Sequence, residues 1–417
     1  MTLDSRGVSL AGLSAVVSDF SMQQEPATDN RRLPTGNARL PTHDSKLAAA
    51  PRLLVVRLGS LGDLIHTLPA VAMLRHWLPQ AFIGWVVEQR WVELLCSRPE
   101  LCGGDIPLSH EKPLINAIHT VTTRVWRHHP LSRSTRQAIA QTIRDLRRTR
   151  YDLALDFQSA IRSAVLGRLA RPRAFIGFSR AHEAPASLFY TRRAEAQGRH
   201  MVEQNASLLR AVGDSPSALR FENDGRRLTA DGYLFPLPRD SRHDQWAADQ
   251  VQHLGIRDFC LLNAGAGWGA KIWPSERWAE VARALAAHGL PSVINYGPGE
   301  EELARGVESE SGGAAFAVNS SIGQLIALAR LARVCVGGDT GPTHLAAALG
   351  IPVVAIYGPT DPARNGPFAP SSSPANIVVL RSETSITDHA RRREPEPGLL
   401  EISPQQVINA ALRVLDK

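Results

Sequence analysis

Short apolar runs recur along the chain from residue 52 onward, each followed by a turn and then by apolar residues at helical spacing. Residues 53–56, 82–87, 153–156 and 174–177 make a first series, and residues 259–263, 292–296, 334–336 and 353–357 a second. Strands buried on both faces read as unbroken apolar stretches rather than alternating ones. Their alternation with amphipathic helices predicts parallel sheets covered by helices. Between the two series, residues 214–240 carry Ser, Pro, Gly and charges of both signs, which predicts a linker. The pattern therefore predicts an α/β protein with two doubly wound domains facing each other, over residues 51–225 and 240–417. Residues 1–50 are polar, lack sustained periodicity and read as a disordered tail. The apolar stretch at residues 8–17 follows Asp4 with neither a clear basic n-region nor a cleavage site, so it reads as part of that tail rather than as a signal peptide.

Two strand-to-helix turns stand out. In Val336-Gly337-Gly338-Asp339-Thr340-Gly341-Pro342-Thr343-His344, a strand meets a glycine pair, a carboxylate and a proline suited to a first helical turn. Free backbone N–H groups at such a helix start attract an anion, although the same pattern serves ordinary strand-turn-helix units. Residues 53–56 run likewise into Arg57-Leu58-Gly59-Ser60-Leu61-Gly62-Asp63, followed by helical apolar spacing through Leu64, Leu68, Val71 and Leu74. This first turn lacks the third glycine of a dinucleotide fingerprint, which argues against hydride transfer. Asp63 reads in two ways, as a helix-start charge or as a general base that flanking glycines let a substrate approach.

Composition narrows the class. At 417 residues the chain is long enough for two cores, and 43% hydrophobic with 21% charged residues is a globular balance. No apolar run approaches the roughly 20 residues of a membrane-spanning helix. The net charge of +7 is unevenly placed, at 0 over residues 1–50, +11 over 51–210 and −4 over 211–417. The first half suits an anionic partner; nucleic acid, an anionic membrane surface and phosphorylated lipid all fit that field, as does a solvated basic face. Arg147, Arg148 and Arg150 form its densest run, and neutralising them is expected to weaken docking on an anionic membrane surface unless they are only a solvated helix face. Cys96, Cys102, Cys260 and Cys335 lack metal-type spacing and read as reduced thiols.

The second half holds further candidates. Asn263-Ala264-Gly265-Ala266-Gly267-Trp268-Gly269-Ala270-Lys271 is a strand end entering a glycine-rich loop with one lysine, a pattern that lets N–H groups and a point charge converge on phosphate. Beside Asp339 and His344 it points to a nucleoside diphosphate. In Tyr296-Gly297-Pro298-Gly299-Glu300-Glu301-Glu302, one carboxylate is placed to hold ribose hydroxyls, unless the run is only a solvated helix start. The Arg391-Arg392-Arg393-Glu394-Pro395-Glu396-Pro397 segment reads as an exposed loop.

Four ordered motifs, at residues 56–63, 263–274, 336–345 and Tyr357-Gly358-Pro359-Thr360-Asp361-Pro362, resemble glycosyltransferase family 9, the lipopolysaccharide heptosyltransferases. Residues 151–159 and 185–190 resemble heptosyltransferase I more than II, and the likeness runs from about residue 52 to the C-terminus. The resemblance implies a GT-B fold of two facing Rossmann-like domains and an inverting transfer of heptose from ADP-heptose to a Kdo-lipid A type acceptor. The donor belongs in the C-terminal domain and the acceptor in the N-terminal one. It implies Asp63 as general base, Lys271 on the diphosphate, Glu300 near the ribose with Glu301 as rival, and Asp339, Thr340, Gly341 and His344 around sugar and phosphates. Arg57 and Arg162 match basic positions near the acceptor. No metal, cofactor or nucleic acid is implied. The expected location is the cytoplasm, at the anionic inner face of the inner membrane. A heptosyltransferase II-like enzyme and a sugar-nucleotide binder without turnover are the alternatives, and a pure binder has no need of Asp63.

Overall fold

Twelve parallel strands in two sheets organise the described residues of the computed structural model, which are 50–104, 106–213, 232–372, 376–388, 390 and 392–416. The tail expected before Ala50 and the linker residues 214–231 lie outside them. The first sheet comprises β1 (Arg52–Val56), β2 (Phe82–Glu88), β3 (Ala117–Val121), β4 (Leu153–Asp156), β5 (Ala174–Phe178) and β6 (Arg192–Ala194), in the order β3-β2-β1-β4-β5-β6. The second comprises β7 (Cys260–Asn263), β8 (Ser292–Tyr296), β9 (Ala315–Asn319), β10 (Val334–Gly338), β11 (Val353–Tyr357) and β12 (Ile377–Arg381), in the order β12-β11-β10-β7-β8-β9. Each sheet starts in its middle, builds outward to one edge and then returns to build toward the other. The order therefore reverses between β1 and β4 in one sheet and between β7 and β10 in the other. Ligands of such sheets bind beyond the carboxyl ends of the strands at those reversals. The glycine-bearing turns follow β1, β7 and β10, so the topology puts them at the two binding crevices.

All eight expected strands are present, within a residue or two at their ends. Four others, β3, β6, β9 and β12, are the edge strands. Each shows partly exposed positions, whereas β1, β4, β7, β8, β10 and β11 are buried throughout or at every position but one.

Two helix starts pack against each other. Helix α1 (Leu61–Trp77) buries Leu64, Ile65, Leu68, Val71 and Leu74 against the first sheet, and the helix Gly341–Ala348 buries Leu345 to Ala348 against the second. At their meeting point each presents a glycine to a side chain of the other. A Cβ on Gly62 would stand 2.7 Å from Cδ2 of His344, and one on Gly341 would stand 2.6 Å from Cβ of Leu61. Only two hydrogens' worth of bulk is tolerated there, so the α1 turn and the β10 turn stay in direct contact. Gly341→Ala is expected to push them apart and destabilise the protein by about 1–3 kcal/mol, the usual cost of overpacking. Denaturant unfolding checks this, and an unchanged midpoint would show that the contact is slack.

Candidate active site

Asp63 lies in the first turn of α1, and both of its carboxylate oxygens are held. Oδ1 pairs with Nη2 of Arg57 at 2.6 Å, while Oδ2 accepts from the Ser60 N–H and the Ser60 hydroxyl at 2.9 Å each. Burial by itself raises the Asp63 carboxyl, but Arg57, the two Ser60 donors and nearby His344 outweigh it and hold the group below its ordinary 3.8. Its side chain nonetheless keeps 39% exposure, so lone pairs remain open to a ligand. Arg57 itself is buried and also donates through Nη1 to the carbonyl of Phe157.

The turn after β4 leans on the turn after β1, because the Leu58 N–H donates to Oε1 of Gln158 at 2.8 Å. Asp156, fully buried at the end of β4, shapes this second turn. Its oxygens accept from the N–H groups of Gln158 and Ser159 and from the hydroxyls of Ser163 and Tyr190, at 2.9–3.0 Å. Burial raises the Asp156 carboxyl despite these donors. The turn delivers Arg162, exposed in the first turn of α4 (Ile161–Leu169), with no carboxylate of the described residues at ion-pair distance.

In the second sheet the residues expected around phosphate converge on Asp339, just beyond β10. Oδ2 pairs with Nζ of Lys271 at 2.5 Å and accepts from Oγ1 of Thr360 at 2.6 Å, while Oδ1 lies 3.2 Å from Nε2 of His344. Burial raises this carboxyl, but the His344 hydrogen bond and the Lys271 charge prevail and hold it well below the usual carboxylate range. Lys271 also sits over the Trp268 ring at 4.9 Å. Thr340 precedes the helix Gly341–Ala348 as its N-cap residue. Glu300 stands apart from this cluster. Its carboxylate accepts from the Gly297 N–H at 3.0 Å and covers Gly265 at the mouth of the glycine-rich loop. Glu301 and Glu302 are exposed in the following helix turn. Of the expected exposed loop, Arg391 lies outside the described residues, Arg392 to Glu394 are exposed, and Pro395 and Glu396 are half-buried because Glu396 caps the short helix Pro397–Glu401. Its backbone lies against the same glycine-rich loop, where the Ala270 N–H donates to the Arg392 carbonyl at 3.1 Å.

Three residues here escaped the sequence reading. Thr360 belongs to a quoted motif but its bond to Asp339 spans 21 positions, which no local pattern reveals. Ser60 had a signal, since it stands three residues before Asp63 at a helix start, as in a capping box. His66 also had one, falling on the same helical face as Asp63 three residues on. It is buried, its ring packs edge-on to those of His344 at 4.7 Å and His200 at 5.1 Å, and its Nε2 has no hydrogen-bond partner among the described residues. Burial, the two neighbouring histidines and Arg57 push His66 well below its ordinary value, so it is neutral. His66 thus forms a wall that fixes the His344 ring with Nε2 toward Asp339.

One carboxylate at the crevice of the first sheet and a lysine–aspartate–histidine cluster at the crevice of the second lie against each other where Gly62 and Gly341 meet, and two six-stranded parallel sheets of this kind are the GT-B fold of glycosyltransferases. The match to the glycosyltransferase family 9 (heptosyltransferase) model covers residues 139–396, and the chain belongs to that family. It is 30% identical over 333 residues to lipopolysaccharide heptosyltransferase 1 of Pseudomonas aeruginosa, spanning 77% of this chain and 82% of the relative. The same enzyme name in Escherichia coli K12 is also 30% identical, over 80% of this chain and 98% of that one. Among solved structures, the E. coli heptosyltransferase WaaC with ADP superposes with a TM-score of 0.66 at 24% identity, over 87% of this chain and 99% of the other. E. coli ADP-heptose lps heptosyltransferase II gives 0.65 at 21% identity, over 88% and 98%.

Proposed function

We propose that this enzyme transfers heptose from ADP-heptose to a Kdo-lipid A type inner-core acceptor, inverting the anomeric centre, at the cytoplasmic face of the inner membrane. The acceptor occupies the N-terminal domain, residues 51–225, and the donor the C-terminal domain, residues 240–417. The observation that carries this reading is the juxtaposition of Asp63 with the Lys271–Asp339–His344 cluster in a chain of this family.

The acceptor hydroxyl attacks the anomeric carbon from the side opposite the diphosphate. As the new C–O bond forms, the bond to the β-phosphate oxygen breaks, ADP leaves with that electron pair and the hydroxyl proton passes to the Asp63 carboxylate. Charge growing on the leaving diphosphate is met by Lys271 and by the N-terminus of the helix Gly341–Ala348, opened by Thr340 and Gly341. Lys271 has three N–H donors and spends one on Asp339, leaving two for phosphate oxygens. His344, walled in by His66, and Asp339 bound the sugar side, and Glu300 takes the ribose hydroxyls. Arg57 keeps Asp63 ionised and aimed, and Arg162 at the open rim meets the acceptor's acid groups.

The ion pair sets a sign for the pH response. A carboxyl depressed below 3.8 binds fewer protons folded than unfolded, so its stabilisation is present above that value and is lost as pH falls through the folded pKa. The acid limb of kcat/KM belonging to Asp63 is therefore expected below 3.8. Arg57→Gln removes the main opposing charge, leaves burial dominant and is expected to move that limb upward. A limb that stays in place would show that Arg57 does not tune Asp63.

A donor competition assay tests the reading. ADP-heptose is expected to displace labelled ADP while UDP sugars do not. Equal displacement by UDP sugars would remove the donor assignment.

A further inference from the structure

From Lys112 to Arg144 the chain contains no Asp or Glu, yet it carries Arg124, Arg127, Arg133, Arg136 and Arg144 between them. The fold gathers most of these at one place, the turn from α2 (Thr123–His128) to α3 (Arg133–Thr149). Arg124, Arg127, His128, His129, Arg133 and Arg136 are all exposed there. Among the described residues, no carboxylate lies at ion-pair distance from any of those arginines. Helix α2 is anchored by Trp126, which packs on the core of the first sheet, and this leaves Val125 facing outward at 52% exposure. At the tip, Leu131 is 83% exposed beside exposed Pro130. An apolar residue just before a helix cap ordinarily packs on an apolar side chain in the first turn. Here Ser132 is the cap and the facing position is Arg136, so Leu131 has no such partner.

Apolar side chains at the summit of an unpaired cationic ring match the two layers of an anionic bilayer, phosphate charge outside and acyl chain beneath. We propose that the α2–α3 turn is the membrane-docking surface of this enzyme, with Leu131 and Val125 entering the acyl boundary and Arg124, Arg127, Arg133 and Arg136 meeting anionic headgroups. The proposal rests on the reading that the acceptor is lipid-borne, and it names the face that reaches the lipid. It also moves docking away from the basic run at the other end of α3, roughly 25 Å along a 17-residue helix. In that run Nε of Arg147 donates to the Leu169 carbonyl at 3.1 Å and Arg150 terminates the helix in the left-handed conformation at φ 53°, so both serve the fold.

The test is sedimentation of the full-length protein with vesicles of phosphatidylcholine alone or mixed with phosphatidylglycerol, at low and high salt. Wild type is expected to partition at least tenfold more strongly onto the anionic vesicles. The quadruple variant Arg124→Gln/Arg127→Gln/Arg133→Gln/Arg136→Gln is expected to lose that preference, on the order of 1 kcal/mol or about fivefold per surface cation. Leu131→Ser/Val125→Ser is expected to bind about tenfold less tightly while its remaining binding keeps the salt dependence of wild type. All of these residues are exposed, and both variants are expected to retain wild-type transfer to a deacylated, water-soluble Kdo acceptor. Equal vesicle binding by wild type and both variants, loss confined to Arg147→Gln/Arg148→Gln/Arg150→Gln, or a wild type that ignores anionic vesicles would each overturn the proposal. Failure of wild type to glycosylate the soluble acceptor bears on the transferase reading alone and leaves the vesicle result standing.

Discussion

Asp63→Asn is expected to lower kcat by on the order of 10² or more while ADP binding stays within a few-fold of wild type. The amide keeps the size of the carboxylate, and its oxygen still accepts from Ser60, so the helix start survives. What disappears is the proton acceptor, together with the charge that faces buried Arg57 at 2.6 Å. Loss of the ion pair leaves a buried guanidinium with the Phe157 carbonyl as its remaining partner, so a modest fall in melting temperature accompanies the loss of rate. The decisive comparison is therefore between turnover and ADP affinity on the same folded sample. Near-wild-type turnover would remove Asp63 from the chemistry and leave it as a helix-capping residue.

Lys271→Ala carries the second large effect. A charge-assisted hydrogen bond to phosphate contributes roughly 1.5–3 kcal/mol, so ADP is expected to bind about 10- to 150-fold more weakly by calorimetry. The same change strips buried Asp339 of its lysine and leaves it to Thr360 and His344, which lowers stability in the absence of ligand as well. ADP affinity that survives the substitution would place the diphosphate elsewhere than between the glycine-rich loop and the helix Gly341–Ala348.

The strands that the sequence reveals and those it conceals differ in burial. Residues 153–156 and 353–357 are covered on both faces, so every position must be apolar or carry a satisfied polar group such as Asp156, and the run declares itself. Strand β3, Ala-Ile-His-Thr-Val, has one neighbour and half-open positions, and its composition is free to look like a loop. The same freedom hides β6, β9 and β12. Asp63, Lys271 and Asp339 were legible because glycines and charged residues at a strand end are local features. Their partnerships were not, since Lys271 finds Asp339 across 68 positions and Gly62 finds His344 across the crevice. Helical periodicity scores His66 as one more core-facing position, and only packing shows that it backs the ring touching Asp339.

Heptose transfer with inversion is tested most directly by incubating the purified protein with ADP-heptose and a Kdo-lipid A acceptor, and reading the product by mass and by the anomeric coupling in its NMR spectrum. The predicted result is an acceptor extended by one heptose, linked with the anomeric configuration opposite to that of the donor, and one ADP released per linkage. ADP release to water without an extended acceptor, or a product that retains the donor's configuration, would contradict the role given to Asp63.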